Sequence, residues 1–264
     1  MRPRVALGVL LALIVPAVVA CGGHDDRASG GSGAGGGKPQ LTVSAAASLK
    51  DAFTAYGKDF SPATARYSFA GSDELAAQIE QGVKPDVYAA ANTKLPDELY
   101  ARGLVAKPAV FAGNRLVLAV PATGAKVASL GDLGRDGVTI AIGSKDVPVG
   151  SYTRTVLDKL PAAQRQAIPA NVRSEEPDVA GIAGKLTQGA VDAGFLYISD
   201  VRASDGKLKA IELPASLQPS VAYGVAVVKG AKHPDQARAF IAGLLNGAGA
   251  RALKDAGFEP PPGR

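Results

Sequence analysis

Two stretches of this chain each run from an extended segment through small residues to a serine and then directly into a helix. The first is Leu41-Thr42-Val43-Ser44-Ala45-Ala46-Ala47-Ser48-Leu49. Its β-branched start predicts a buried strand, and Leu49, Ala52, Phe53 and Tyr56 then follow at the spacing of a helix with one apolar face. The second is Arg66-Tyr67-Ser68-Phe69-Ala70-Gly71-Ser72-Asp73-Glu74-Leu75, continued by Ala76 and Ile79. Gly71 permits a tight turn, so backbone can approach whatever Ser72 faces. A helix N-terminus offers unpaired N–H donors and the positive end of a dipole, which favour an anion. A lone serine at such a junction is adequately explained as a helix cap. Two such junctions in one α/β unit can converge at the carboxyl edge of a parallel sheet, where open sheets bind ligands. Together they predict an anion site built from neutral donors.

The rest of the chain alternates strand and helix with short connections, the pattern of an α/β protein with largely parallel pairing. Lys84-Pro85-Asp86-Val87-Tyr88-Ala89-Ala90-Ala91 predicts a strand, with Asp86 as a turn or cap residue rather than a catalytic one, and a helix over 95–102 stops at Gly103. Two apolar strands, at 115–121 and 221–228, bracket a second α/β block. The chain is thus expected to leave one lobe near Pro121 and return near Val221, two crossings that would form a hinge. The predicted lobes are residues 40–120 with 222–264, and residues 121–221. Within the second block a strand over 138–143 leads through Val147-Pro148-Val149-Gly150 into a helix. Pro148 has no N–H, so those of Val149 and Gly150 are the expected free donors. Glu175-Glu176-Pro177-Asp178-Val179 is expected to open a helix containing Ile182 and Leu186, and Ala193–Asp200 to form a strand carrying Tyr197 near its carboxyl end. The tail predicts a helix from Pro234, flanked by His233, and another over 250–256.

Residues 1–20 stand apart from this pattern. Arg2 and Arg4 precede an apolar run to Ala20 that is short for a membrane span and has the form of a secretory leader. Val18-Val19-Ala20-Cys21 resembles the lipobox of bacterial lipoproteins, which implies cleavage before Cys21 and a lipid on its sulfur. Cys21 is the single cysteine, so no disulfide competes for it. Residues 21–39 are Gly- and Ser-rich, the composition of a flexible tether, and contain His24. Residues 1–38 carry +2 of the formal +5 charge, and the remaining cations are scattered, which argues against nucleic acid as a partner.

AAASL at 45–49, SFAGS at 68–72, DVPVGSY at 146–152, EPDVAGI at 176–182 and GAVDAGFLYISD at 189–200 resemble the successive motifs of the molybdate-binding proteins of ABC transporters. The resemblance is collinear over residues 40–258 and extends into PDQARAF at 234–240. It implies a two-lobed type II periplasmic-binding-protein fold with a ligand cleft between the lobes. It also implies ligand contacts through the hydroxyls of Ser48 and Ser72, the backbone amides near Val149 and Val179, and the phenol of Tyr197. The ligand would be molybdate or tungstate, with no cofactor and no metal cation. The implied partners are a permease and its ATPase, served by a monomer anchored through Cys21 on the extracytoplasmic face of the membrane. Gly71 and Asp73 depart from the Ser or Gly of many relatives, and Asp73 brings a negative charge close to the expected pocket.

Molybdate near neutral pH accepts hydrogen bonds and donates none. A pocket of hydroxyl and amide donors without an Asp or Glu acceptor suits it, and suits tungstate or sulfate in kind, whereas monohydrogen phosphate wants an acceptor for its proton. A non-transport oxyanion sensor would carry the same pocket. A serine hydrolase built on Ser48 or Ser72 would need a positioned base. The only histidines are His24 in the tether and His233 before a helix, and no GxSxG elbow is present, so no enzyme is expected.

Overall fold

The computed structural model describes residues 37–263. The leader, Cys21 and nearly all of the tether therefore lie outside the described residues. The first part of the chain runs β1 (Gln40–Ala46), α1 (Lys50–Asp59), β2 (Thr64–Ala70), α2 (Ser72–Glu80), β3 (Val87–Ala90), α3 (Lys94–Ala101) and β4 (Ala109–Asn114). It continues with β5 (Leu116–Pro121), β6 (Ile140–Gly143), α4 (Pro148–Asp158), α5 (Ala162–Ala167), β7 (Val172–Glu176), α6 (Val179–Thr187), β8 (Ala193–Tyr197), α7 (Ile198–Arg202) and β9 (Leu208–Glu212). Last come β10 (Val221–Val227), α8 (Pro234–Asn246) and α9 (Ala248–Asp255).

These strands form two five-stranded sheets of the same design, ordered β2-β1-β3-β10-β4 and β7-β6-β8-β5-β9. In the first, β1 lies parallel to β2 and β3, while β10 runs antiparallel to β3 and β4. In the second, β6 lies parallel to β7 and β8, while β5 runs antiparallel to β8 and β9. Even the entry to the parallel strands is repeated. Asp86 Oδ2 accepts the Thr42 N–H at 2.7 Å and the Thr42 hydroxyl at 2.8 Å. Asp192 Oδ2 accepts the same two groups of Thr139 at 2.9 and 2.8 Å. Each Asp joins the start of one central strand to the start of the next, where backbone groups would otherwise lack partners. Asp86 is thus a staple between strands, and its second oxygen accepts the N–H of His233, the residue that caps α8.

The crossing between sheets differs from expectation. β5 pairs with β8 and β9, so the strand assigned by sequence to the first lobe belongs to the second sheet, and the chain crosses at Arg115 rather than near Pro121. The two apolar strands are equally suited to either core, so apolarity alone could not assign them. Arg115 occupies the crossing and pairs with Glu212 at 2.9 Å and Glu259 at 2.8 Å, one residue at the end of β9 and one beside β4. Glu175 and Glu176, expected in a helix start, instead finish edge strand β7, and α6 begins only at Val179. The Pro177 ring breaks the strand there and Asp178 caps the helix.

A continuous apolar core runs through both sheets, from Leu41, Val43 and Phe53 to Leu118, Ile140 and Phe195. In the first lobe α1 and α8 lock together through rings, with Phe53 and Phe240 edge-on at 5.5 Å and Tyr56 at 4.7 Å from Phe240. Such pairs add about 0.5–1.5 kcal/mol beyond the area they bury. Among the described residues no helix is long and apolar enough to cross a membrane.

Candidate anion-binding site

The carboxyl ends of the parallel strands of both sheets face one small cavity. Ser48, Ser72, Val149, Val179 and Tyr197, separated by up to 149 residues in the sequence, all line it. No Lys or Arg is among the lining residues, so the donors available to an anion there are helix starts and hydroxyl hydrogens.

The first lobe supplies side chains. Ser48 lies in the single 3-10 turn Ala47–Leu49 that joins β1 to α1, and its Oγ is 2.9 Å from the Tyr223 hydroxyl. Ser72 is the first residue of α2 and is 1% exposed. Its Oγ accepts the Ala91 N–H at 3.0 Å, which leaves the hydroxyl hydrogen to give. Gly71 before it has a second use. A Cβ at this position would come 2.5 Å from the Pro177 carbonyl oxygen and 3.3 Å from Val147 Cγ1, both in the second lobe. The bare backbone at 71 is what lets the two walls approach.

The second lobe supplies backbone. Pro148 is the first residue of α4 and carries no N–H, while the Ser151 N–H is taken by the Val147 carbonyl at 3.0 Å. The N–H groups of Val149 and Gly150 lie in the first turn, where no intrahelical acceptor exists. Gly150 is required here, since a Cβ would overlap the carbonyl oxygens of Ser144 and Gly143. Val179 opens α6, and its cap Asp178 accepts the Gly181 N–H at 3.0 Å. Asp178 lines the cavity, contrary to the expectation of a wall without carboxylates. Its Oδ1 is engaged by the turn it caps, as an N-cap requires.

Tyr197 ends β8 and is 1% exposed. Its backbone N–H donates to Asp200 Oδ2 at 2.9 Å, and its ring stands edge-on to Tyr223 at 5.9 Å and Tyr152 at 6.4 Å. Its hydroxyl is buried without a hydrogen-bond partner among protein groups. Leaving such a group unpaired costs about 1–3 kcal/mol, which an acceptor in the cavity would recover. Burial, ahead of the neighbouring Tyr223, Tyr152 and Asp200, pushes its pKa well above the usual phenol value. The group therefore stays protonated and can only be a donor toward an anion. Asp73 does not line the cavity. Burial pushes its carboxyl up, opposed by N–H groups of its own first turn and reinforced by Asp146 and Asp178.

Two residues behind the wall were not legible in the sequence. Tyr223 stands 175 residues from Ser48, and Asn114 reaches the same hydroxyl across the first sheet. Neither carries a local motif. Only the pairing of β10 with β4 brings them together.

With this geometry, residues 41–259 match the family model described as bacterial extracellular solute-binding protein. The chain belongs to that family. This solute-binding protein is 35% identical to the molybdate-binding protein ModA of Mycobacterium tuberculosis, over 96% of its own length and 97% of the relative's. It is 29% identical to ModA of Haemophilus influenzae, covering 83% of this chain and 90% of that one. Among solved structures it superposes on the periplasmic molybdate-binding protein of Azotobacter vinelandii with a TM-score of 0.75 at 20% identity, over 84% of this chain and 99% of the other. That likeness places the chain in the two-lobed type II periplasmic-binding fold. Among the described residues no group of His, Cys, Asp or Glu is arranged to hold a metal cation.

Proposed function

We propose that this protein captures molybdate, and tungstate as its close analogue, and hands it to an ABC importer through a permease and its ATPase. The observation that carries this reading is the convergence of Ser48, Ser72, Val149, Val179 and Tyr197 on one cavity lined by no cation. The unpaired buried hydroxyl of Tyr197 points to an acceptor as the missing partner. A tetrahedral dianion without protons accepts from all of these groups and asks for no acceptor in return. The relatives named for molybdate support the same ion over sulfate, which the donor set alone would also suit. In this reading the protein acts by binding alone, as a monomer without a cofactor. It is held on the extracytoplasmic face of the membrane by lipid on Cys21, with residues 21–39 as the tether.

Thermal unfolding in the presence of molybdate, tungstate, sulfate and phosphate tests the assignment. A ligand at a hundred times its Kd stabilises the folded state by about 2.7 kcal/mol, a readily measured shift. Molybdate and tungstate are expected to give large shifts, sulfate a smaller one and phosphate almost none. Equal shifts from phosphate and molybdate, or none from molybdate, would remove the assignment. Cys21→Ser is expected to release the protein from membranes or stall its processing. A normally cleaved variant that stays membrane-bound would contradict the anchor.

A further inference from the structure

A chain of buried hydrogen bonds behind the cavity wall fixes which way the Ser48 hydroxyl points. It begins at Asn114, the last residue of β4, which is 4% exposed. Asn114 Oδ1 accepts the Arg115 N–H at 2.9 Å, so the opposite side of the amide must be its nitrogen. That Nδ2 donates to the Ser199 hydroxyl at 2.9 Å and to the Tyr223 hydroxyl at 3.4 Å. Tyr223 is wholly buried, with its ring walled in by Phe111, Phe258 and Tyr197. Having accepted from Asn114, the Tyr223 hydroxyl has one hydrogen to place, and its other neighbour is Ser48 Oγ at 2.9 Å. A buried donor left unplaced is costly, so the phenol donates to Ser48. Ser48 Oγ, now an acceptor on that side, turns its own hydrogen toward the cavity it lines.

We propose that Tyr223, oriented by Asn114, is a positioning residue that holds Ser48 as a hydrogen-bond donor and so makes the pocket reject oxyanions that carry a proton. This rests on the reading of the cavity as an oxyanion site. A free serine hydroxyl can either give or accept a hydrogen bond, and would adapt to the P–OH of monohydrogen phosphate as readily as to a bare oxygen. Rejection by an unpaired polar group is more severe than rejection by size, because the mismatched donor or acceptor is buried with the ligand. Ser72 is committed in the same sense by the Ala91 N–H, a backbone donor that cannot be mutated away. The commitment of Ser48 depends on a side chain, and is therefore testable.

The test is calorimetric titration of the wild-type protein and of Tyr223→Phe with molybdate and, separately, with inorganic phosphate at a mildly alkaline pH. Phe keeps the ring among its aromatic neighbours and deletes only the hydroxyl. Molybdate affinity is expected to fall about ten-fold, while phosphate affinity holds or rises, so that the ratio of the two dissociation constants narrows by about ten-fold or more. Asn114→Asp is the second variant. Its carboxylate would accept from Tyr223, reverse the chain and present Ser48 to the ligand as an acceptor, narrowing the same ratio by another route. In a Ser48→Ala background, Tyr223→Phe should leave the ratio unchanged. A ratio equal to that of the wild type in Tyr223→Phe, with both affinities moving together, would overturn the proposal, because a purely structural Tyr223 weakens both ligands alike. Wild-type protein that binds no molybdate would instead overturn the functional reading beneath it.

Discussion

The two lobes repeat one architecture and differ in what they offer a ligand. Each has three parallel strands followed by an antiparallel one, and each staples its central strands with a Thr–Asp pair, Thr42 with Asp86 and Thr139 with Asp192. At the opposite ends of those strands the likeness stops. The first lobe presents hydroxyls, Ser48 and Ser72, both set in their donor sense by a second group. The second presents backbone N–H groups at the starts of α4 and α6, the latter capped by Asp178, together with one phenol. A hydroxyl can be removed by a single substitution with little disturbance of the backbone. An amide donor can be lost only by moving the helix that carries it. The first lobe should therefore be tuned by side chains, and the second should fail by backbone displacement.

The largest expected effect attacks the second lobe. Gly150→Ala would press a methyl group into the Ser144 and Gly143 carbonyls and push the first turn of α4 off its position. Overpacking of this kind costs about 1–3 kcal/mol of stability. Molybdate affinity should fall at least a hundred-fold, since the Val149 and Gly150 amides move together. Chemical denaturation and calorimetry on one preparation check both parts, and an unaffected affinity would mean the amides of α4 are not used. Next in size is Gly71→Ala, which acts between the lobes. Its methyl group would meet the Pro177 carbonyl, so small-angle scattering should show a cleft that molybdate no longer closes, with the unliganded protein as stable as before.

The hydroxyls of the first lobe come third. Ser48→Ala and Ser72→Ala each delete a donor to a charged ligand, worth about 1.5–3 kcal/mol or roughly ten- to a hundred-fold in affinity. Both should also weaken the unliganded protein. Ser72→Ala strands the buried Ala91 N–H and Ser48→Ala strands the buried Tyr223 hydroxyl, so each should lower stability by about 1–3 kcal/mol. If neither denaturation midpoint falls, the assignment of partners is wrong.

The smallest effect on affinity concerns the carboxylates flanking the donors, which act on stability instead. Desolvation, ahead of repulsion from Asp178 and Asp51, pushes Asp200 up to about 7, against the ordinary carboxylate value near 3.8. The folded state therefore holds a proton that the unfolded chain has released over this interval. Stability should fall as pH rises from about 4 to about 7 and level off above. Asp200→Asn should flatten that slope, since its amide oxygen can still accept the Tyr197 N–H. Asp73→Asn in the first lobe should do so less, and a reversed order in the melting profiles would contradict the contrast.

The central strands and the donors at their ends were legible because each has a local signature. β3, β6 and β8 are apolar runs buried on both faces, β1 is buried from Val43 onward, and Ser48, Ser72, Val149 and Val179 stand at junctions where the spacing changes from strand to helix. The edges were not. β7 reads VRSEE and β9 reads LKAIE, because an edge strand exposes one face and carries charge to discourage further pairing. Reading Glu175 and Glu176 as the start of a helix follows from that polarity. The crossing at Arg115 and the Asn114–Tyr223–Ser48 chain depend on which strands pair between distant parts of the sequence, information that no local pattern contains.

The most direct measurement is a crystal structure of the protein grown with molybdate, with the metal located by its anomalous scattering. The ion should sit in the cavity between the sheets. Its oxygens should lie within about 3 Å of the Ser48, Ser72 and Tyr197 hydroxyls and of the Val149 and Val179 backbone nitrogens, with donors from both lobes on one ion. Molybdate bound by one lobe alone, found elsewhere on the surface, or held by Lys or Arg side chains would contradict the account.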